Sequence, residues 1–114
     1  MTSIVSKPWG FYEVLLEDSK YTIKRIVVKP GGVLSLQSHT NRSEHWVIVQ
    51  GVAEVTLDEQ IKILHSNENI FIPKKSKHRL ANKEKEELIV IEIWFGDVLD
   101  EDDIFRYKDI YGRK

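Results

Sequence analysis

The 114-residue sequence contains no cysteine, and that absence excludes disulfides, thiolate metal sites and cysteine nucleophiles together. No apolar run reaches transmembrane length. Residues 1–7 lack the apolar stretch of a secretory leader, which makes the cytoplasm the expected location. Charge of one sign is missing as well. Lys and Arg number 17 against 18 Asp and Glu, leaving a formal net charge of −1. No global basic field therefore draws in nucleic acid or an anionic membrane, and any bound anion must rely on a few locally placed cations. Sustained helical periodicity is absent before residue 100.

What the sequence does have is short β-branched apolar segments with turn residues between them. Strands are expected at residues 10–16, 21–29, 34–38, 45–50, 53–57, 61–64, 69–72, 79–81 and 88–95. Pro30-Gly31-Gly32, Gln50-Gly51, Asp58-Glu59, Asn67-Glu68, Pro73 and Asn82-Lys83 punctuate them. Many evenly spaced strands imply a single all-β domain over residues 1–114, a sandwich or closed barrel rather than a parallel α/β sheet. The exception is Leu99-Asp100-Glu101-Asp102-Asp103-Ile104, which reads either as the first turn of a short helix or as a solvated acidic loop.

Four candidate metal ligands fall in two groups: Gln37, His39 and Glu44 in the first, His78 in the second. Side chains at i and i+2 of a strand share a face, so Gln37 and His39 point together. Glu44 shares its face with Trp46 and Ile48, which places a carboxylate among apolar neighbours, where an unpaired charge is costly. A cation removes that cost. Each residue has a plainer reading, since a lone His is more often structural and Gln is a rare ligand; the case is the spaced set. His45 alternates to the opposite face and His65 falls in a turn, so neither belongs to it.

Leu34-Ser35-Leu36-Gln37-Ser38-His39 with Arg42-x-Glu44-His45-Trp46 resembles the cupin domain of type II mannose-6-phosphate isomerases. That domain commonly ends bifunctional mannose-1-phosphate guanylyltransferases. The likeness begins at Lys7-Pro8-Trp9-Gly10 and runs through Lys24-Arg25-Ile26, Pro30-Gly31, Ile72-Pro73 and His78-Arg79-Leu80-x-Asn82. It closes on Glu101-Asp102-Asp103-Ile104-x-Arg106 and Tyr111-Gly112-Arg113. The resemblance implies a cupin fold (a double-stranded β-helix or jelly-roll barrel), a divalent metal, usually zinc, on Gln37, His39, Glu44 and His78, and interconversion of mannose 6-phosphate and fructose 6-phosphate. Asn41 stands where the family usually has His, Lys75 where it has Gly, and Lys77 where it has Pro. The nucleotidyltransferase part is not in this chain, so guanylyltransferase activity is not expected of it.

Aldose–ketose isomerisation needs a polarised carbonyl, a base near C1 and C2, and a phosphate holder. Gln37 is neutral, which leaves Glu44 as the one anionic ligand and keeps the ion electrophilic. The candidate catalytic residues are Glu92, Lys24 and Arg42. Glu92 lies in the apolar run 88–94, where burial raises a carboxyl toward a useful pKa; alternatively it pairs with Lys24 or Arg25 on a neighbouring strand. Candidate phosphate ligands are Arg42, Arg79, Arg25 and Arg106, with Lys24 and Arg113 also available. Alternation places Arg79 on the opposite face from His78. Rival readings are a cupin acting on another sugar phosphate and a non-catalytic sugar or sugar-nucleotide binder. A homodimer is expected through the apolar strand around Phe11, Val14 and Leu15.

Overall fold

The computed structural model describes residues 3–113, and no described residue is helical. Eleven strands form two sheets. They are β1 (Ser3–Lys7), β2 (Gly10–Glu17), β3 (Tyr21–Val28), β4 (Leu36–Ser38), β5 (Ser43–Gln50), β6 (Ala53–Leu57), β7 (Gln60–Leu64), β8 (Asn69–Ile72), β9 (His78–Ala81), β10 (Leu88–Phe95) and β11 (Phe105–Lys108). One sheet has the order β1-β2-β3-β10-β5-β8, the other β11-β4-β9-β6-β7. Every pairing is antiparallel. This is the all-β cupin architecture expected from the sequence, and no helix of the described residues is long and apolar enough to cross a membrane.

Period-two alternation builds the interior. In β5 Glu44, Trp46 and Ile48 are buried while Ser43, His45 and Val47 are half-buried. In β10 the inward set is Leu88, Val90, Glu92 and Trp94. In β3 it includes Thr22, Lys24, Ile26 and Val28. Strand register then aligns these sets across the sheet. Ile26, Val90 and Ile48 form one row, Lys24, Glu92 and Trp46 the next, and Thr22, Trp94 and Glu44 a third. One end of the interior is therefore apolar, closed by Val55, Leu80 and Leu88. The other end is lined with charge. Burial of the apolar end supplies the driving force for the fold, at about 25 cal/mol per Å² of apolar surface.

Several elements differ from the sequence reading. β1 and β11 lie outside the expected strands. β11 has little apolar alternation to reveal it, with Phe105, Tyr107 and Lys108 exposed. β1, not the strand around Phe11, Val14 and Leu15, is the edge of its sheet, because it folds back along β2. Gly10 permits that reversal: its φ is +147°, and a Cβ there would lie 2.0 Å from the Val27 carbonyl oxygen. The expected strand at 34–38 narrows to β4, preceded by a Val33–Ala81 bridge that continues the same pairing irregularly. The acidic segment is a loop. Asp102 N–H donates to its neighbour Asp100 Oδ1 at 2.9 Å, and this local side-chain bond competes with a helical start.

Candidate metal centre

β4, β5 and β9 bring three donors together at the charged end of the barrel. His39 follows β4, Glu44 is the second residue of β5 and His78 the first of β9. All three are buried, at 3%, 2% and 3% exposure, and their ligand atoms lie within 4.8 Å of one another. Gln37 sits directly opposite His78 in the β4–β9 register, which puts it on the same face. Its amide nitrogen donates to Ser35 Oγ at 2.9 Å, which identifies the other end of the amide as the available oxygen donor.

The donor chemistry fits a cation. His39 Nδ1 lies 2.7 Å from the Asp103 carbonyl oxygen, and His78 Nδ1 lies 3.0 Å from that of Ser76. A carbonyl only accepts, so each Nδ1 carries a hydrogen, and the neutral tautomer this selects leaves Nε2 bare. Those two Nε2 atoms are 3.1 Å apart, and Glu44 Oε2 is 3.1 Å from that of His39. Lone pairs converging in this way repel unless positive charge stands among them. Two imidazoles and a carboxylate, with backbone carbonyls fixing both rings, make a donor set that could hold a metal ion.

The surrounding groups set the charge. Arg42 donates from Nε to Glu44 Oε2 at 2.8 Å, and its Nη2 lies 3.1 Å from His39 Nε2. Trp46 Nε1 donates to Glu44 Oε1 at 2.9 Å. Burial pushes the Glu44 carboxyl up, but the close approach of His39, His78 and Arg42 outweighs it, holding the group well below the usual carboxylate range. Burial lowers the His78 imidazole and favours its neutral, ligating form. Glu92, 7% exposed, goes the other way. Burial and then the nearby Glu44 carboxylate hold its carboxyl well above the ordinary range, against the opposing pull of Lys24 and Arg42. The two carboxyls are thus driven in opposite directions. Trp94 Nε1 donates to Glu92 Oε1 at 2.7 Å and fixes its orientation.

Beside these groups lies a cavity of about 260 Å³, with Gln37, Arg42, Lys24, Glu92, Trp94 and Arg106 among its lining residues. His39, Glu44 and His78 do not line it, so Gln37 and Arg42 stand between it and the three buried donors. Lys24 does not pair with Glu92, although the two face each other in register. Its Nζ is 2.6 Å from Glu101 Oε2, and it lies 3.6 Å from the Trp94 ring centre. Arg106 and Arg113 both reach the cavity wall. Two expected phosphate ligands do not. Arg25 alternates outward to Glu13, 3.5 Å away, and Arg79 donates to the Leu34 and Lys108 carbonyls at 2.9 and 3.0 Å. His45 faces away and meets Asn69, while His65 is exposed beside Glu68, as alternation and turn position imply.

Sequence reasoning overlooked the loop behind the ligand turn. The Asp103 carboxylate accepts from the backbone N–H groups of Thr40 and Asn41 at 2.9 and 2.8 Å, while its carbonyl holds His39. Asn41, placed where a histidine is usual, is exposed and contributes its backbone here. Lys75 adopts φ +69°, which accounts for glycine being the usual residue at that position. The clue to the loop was the acidic string itself, whose partners lie dozens of residues upstream.

Residues 1–109 match the family described as mannose-6-phosphate isomerase C-terminal. The alginate biosynthesis protein AlgA of Pseudomonas syringae pv. tomato is 49% identical over 109 residues, 96% of this chain and 23% of that protein. A mannose-1-phosphate guanylyltransferase of Escherichia coli K12 is also 49% identical, with the same coverage. The chain thus spans less than a quarter of the length of these relatives. Among solved structures, oxalate decarboxylase from Bacillus subtilis superposes with a TM-score of 0.82 at 16% identity, covering 92% of this chain and 30% of that one. An RmlC-like cupin from Shewanella frigidimarina gives 0.75 at 19% identity, covering 90% and 87%. At such identities these two speak for the cupin fold alone.

Proposed function

The chain belongs to the mannose-6-phosphate isomerase C-terminal family, and from that premise we propose that it is a metal-dependent aldose–ketose isomerase interconverting mannose 6-phosphate and fructose 6-phosphate. The observation that carries this reading is the cluster of His39, Glu44 and His78 beside a cavity whose wall presents Glu92, with the Glu44 carboxyl held low and the Glu92 carboxyl held high. Neighbouring carboxyls driven apart in pKa are a recurrent sign of divided acid–base roles.

In this proposal Gln37, His39, Glu44 and His78 hold a divalent ion, zinc by the chemistry of the donors. Bound there, the ion supplies Lewis acidity to the sugar carbonyl. Glu92 takes the proton from C2 and returns it to C1; burial makes its ionised form the stronger base and its protonated form a serviceable acid. Trp94 holds that carboxyl in one orientation by its 2.7 Å hydrogen bond. Arg42, Lys24 and Arg106 are the cations at the cavity that meet the phosphate. A second copy of the chain is the proposed partner. The support is that β1 is a sheet edge and that Ile4, Leu15 and Leu16 on the β1–β2 pair are exposed.

The test is a coupled assay of the purified chain with mannose 6-phosphate, before and after chelation and after zinc is restored. Turnover that disappears with chelator and returns with metal is the expected result. Turnover indifferent to chelator removes the metal mechanism, and none under any metal removes the isomerase.

A further inference from the structure

Lys24 is 3% exposed, a rare depth for a lysine. Its ammonium lies 3.6 Å from the Trp94 ring centre and 4.2 Å from that of Tyr12. These rings attract a cation but carry no net charge to neutralise it. Glu92 stands opposite in register, but the ammonium's ion pair is not with it. The neutralising charge comes instead from Glu101, 2.6 Å away on the acidic loop, whose side chain is 57% exposed. Both residues line the cavity, as do Arg42 and Arg106.

The pair is asymmetric. Glu101 loses little on release, because water already reaches most of its side chain. Lys24 cannot be left alone, because a buried ammonium without a counter-ion is strongly disfavoured. Another anion must take over whenever Glu101 leaves. A phosphate monoester brings more negative charge and more acceptor oxygens than a carboxylate, matched to the three N–H donors of the ammonium.

We infer that Lys24 is the anion subsite of the cavity and that Glu101 is its built-in competitor, displaced when a phosphate group takes over Lys24 Nζ. The inference deepens the sugar-phosphate reading and rests on it for the identity of the ligand. Glu101 then sets affinity. The fraction of time its carboxylate occupies Lys24 lowers the apparent binding constant by that same fraction.

The experiment is calorimetric titration of the intact chain with inorganic phosphate at low ionic strength, repeated with mannose 6-phosphate and with mannose. Glu101→Gln is expected to bind both phosphate ligands about tenfold more tightly than the wild type, the ratio for a subsite occupied nine-tenths of the time. Mannose, lacking phosphate, is expected to show no difference between the two proteins. Asp97→Asn, which removes another acid from the same loop and breaks the exposed 2.8 Å pair with Lys20, is expected to leave phosphate affinity unchanged. Lys24→Met is expected to abolish the Glu101→Gln gain in the double variant. Glu101→Gln leaves Lys24 without its counter-ion, so the ligand-free variant is expected to melt lower than the wild type and phosphate to restore it; the idea is overturned if Glu101→Gln binds phosphate no more tightly than Asp97→Asn. Turnover is measured separately. Isomerase activity without the affinity gain overturns this inference alone, while the gain without activity supports it and overturns the isomerase.

Discussion

His39 and His78 face each other through Nε2 atoms 3.1 Å apart, each ring held in place by a backbone carbonyl at Nδ1. The carbonyls belong to Asp103 and Ser76, so two loops decide which nitrogen of each ring is available. A ligand pair set by backbone is insensitive to side-chain changes around it and sensitive to loss of either ring.

His39→Ala and His78→Ala are each expected to lower zinc affinity by more than about 100-fold, the upper end of what loss of a mere supporting partner costs. Both variants should keep far-UV spectra of a folded β protein, because the apolar row of Ile26, Val90 and Ile48 lies at the other end of the interior. Equilibrium dialysis against zinc, followed by metal analysis, reads the affinity directly. A variant that still retained one zinc per chain would remove the assignment of that histidine.

Glu92→Gln separates chemistry from stability. The amide oxygen can still accept the Trp94 Nε1 hydrogen bond, and a neutral amide suits a buried position that disfavours a charged carboxylate. The melting temperature should therefore stay within a few degrees, while kcat falls by about 10²–10⁴, the usual contribution of a positioned acid–base group. The wild-type profile carries a sign. Because burial, followed by Glu44, raises the Glu92 pKa above the ordinary carboxylate range, the ionised base gains population as pH rises. The limb of kcat/KM governed by this group should accordingly rise with pH and vanish in Glu92→Gln. A variant with wild-type kcat would move the base elsewhere.

Lys75 tests the backbone behind the site. At φ +69° a side chain crowds its own carbonyl, at a cost of about 1–2 kcal/mol relative to the right-handed conformation. Its N–H donates to the His39 carbonyl at 2.8 Å, so the strained turn is tied to a ligand residue. Lys75→Gly is expected to raise unfolding free energy by about 1 kcal/mol. Urea melts would register this as a higher midpoint with unchanged slope. A lower midpoint would mean that the lysine side chain, not its backbone, matters there.

What could be read from the sequence was what period two controls. Gln37 and His39 two apart, and Glu44 in line with Trp46 and Ile48, already placed these donors on inward faces. The same parity separates Lys24 from Arg25: it sends one into the cavity and the other to Glu13, and it turns Arg79 away from His78. Contacts across long stretches of chain were not legible. Lys24 and Glu101 are 77 residues apart, as are Lys20 and Asp97, and nothing local in either segment selects the partner. Two edge strands, β1 and β11, were the other loss. β11 carries an exposed pattern because only one side of it is covered, so alternation gives no signal.

Asp109 provides the acid limit of the fold. Its carboxylate accepts from Arg113 N–H at 2.6 Å and from the guanidinium at 2.9 and 3.0 Å. These bonds, the side-chain one foremost, hold its pKa at about 2 against an ordinary 3.8. A depressed carboxyl binds fewer protons folded than unfolded, so stability rises with pH between those values. The contribution is complete above pH 4 and disappears as pH falls toward 2. The same segment carries Tyr111, which packs against the core and whose hydroxyl accepts from Val33 N–H at 3.3 Å, so loosening the clip reaches the strand entering the ligand set. Asp109→Asn should be less stable than the wild type at pH 7, and the two should converge as pH falls toward 2. Urea midpoints at pH 7, 4 and 2.5 measure this convergence; a gap that stays constant across the three would show that the Asp109–Arg113 pair contributes nothing to acid sensitivity.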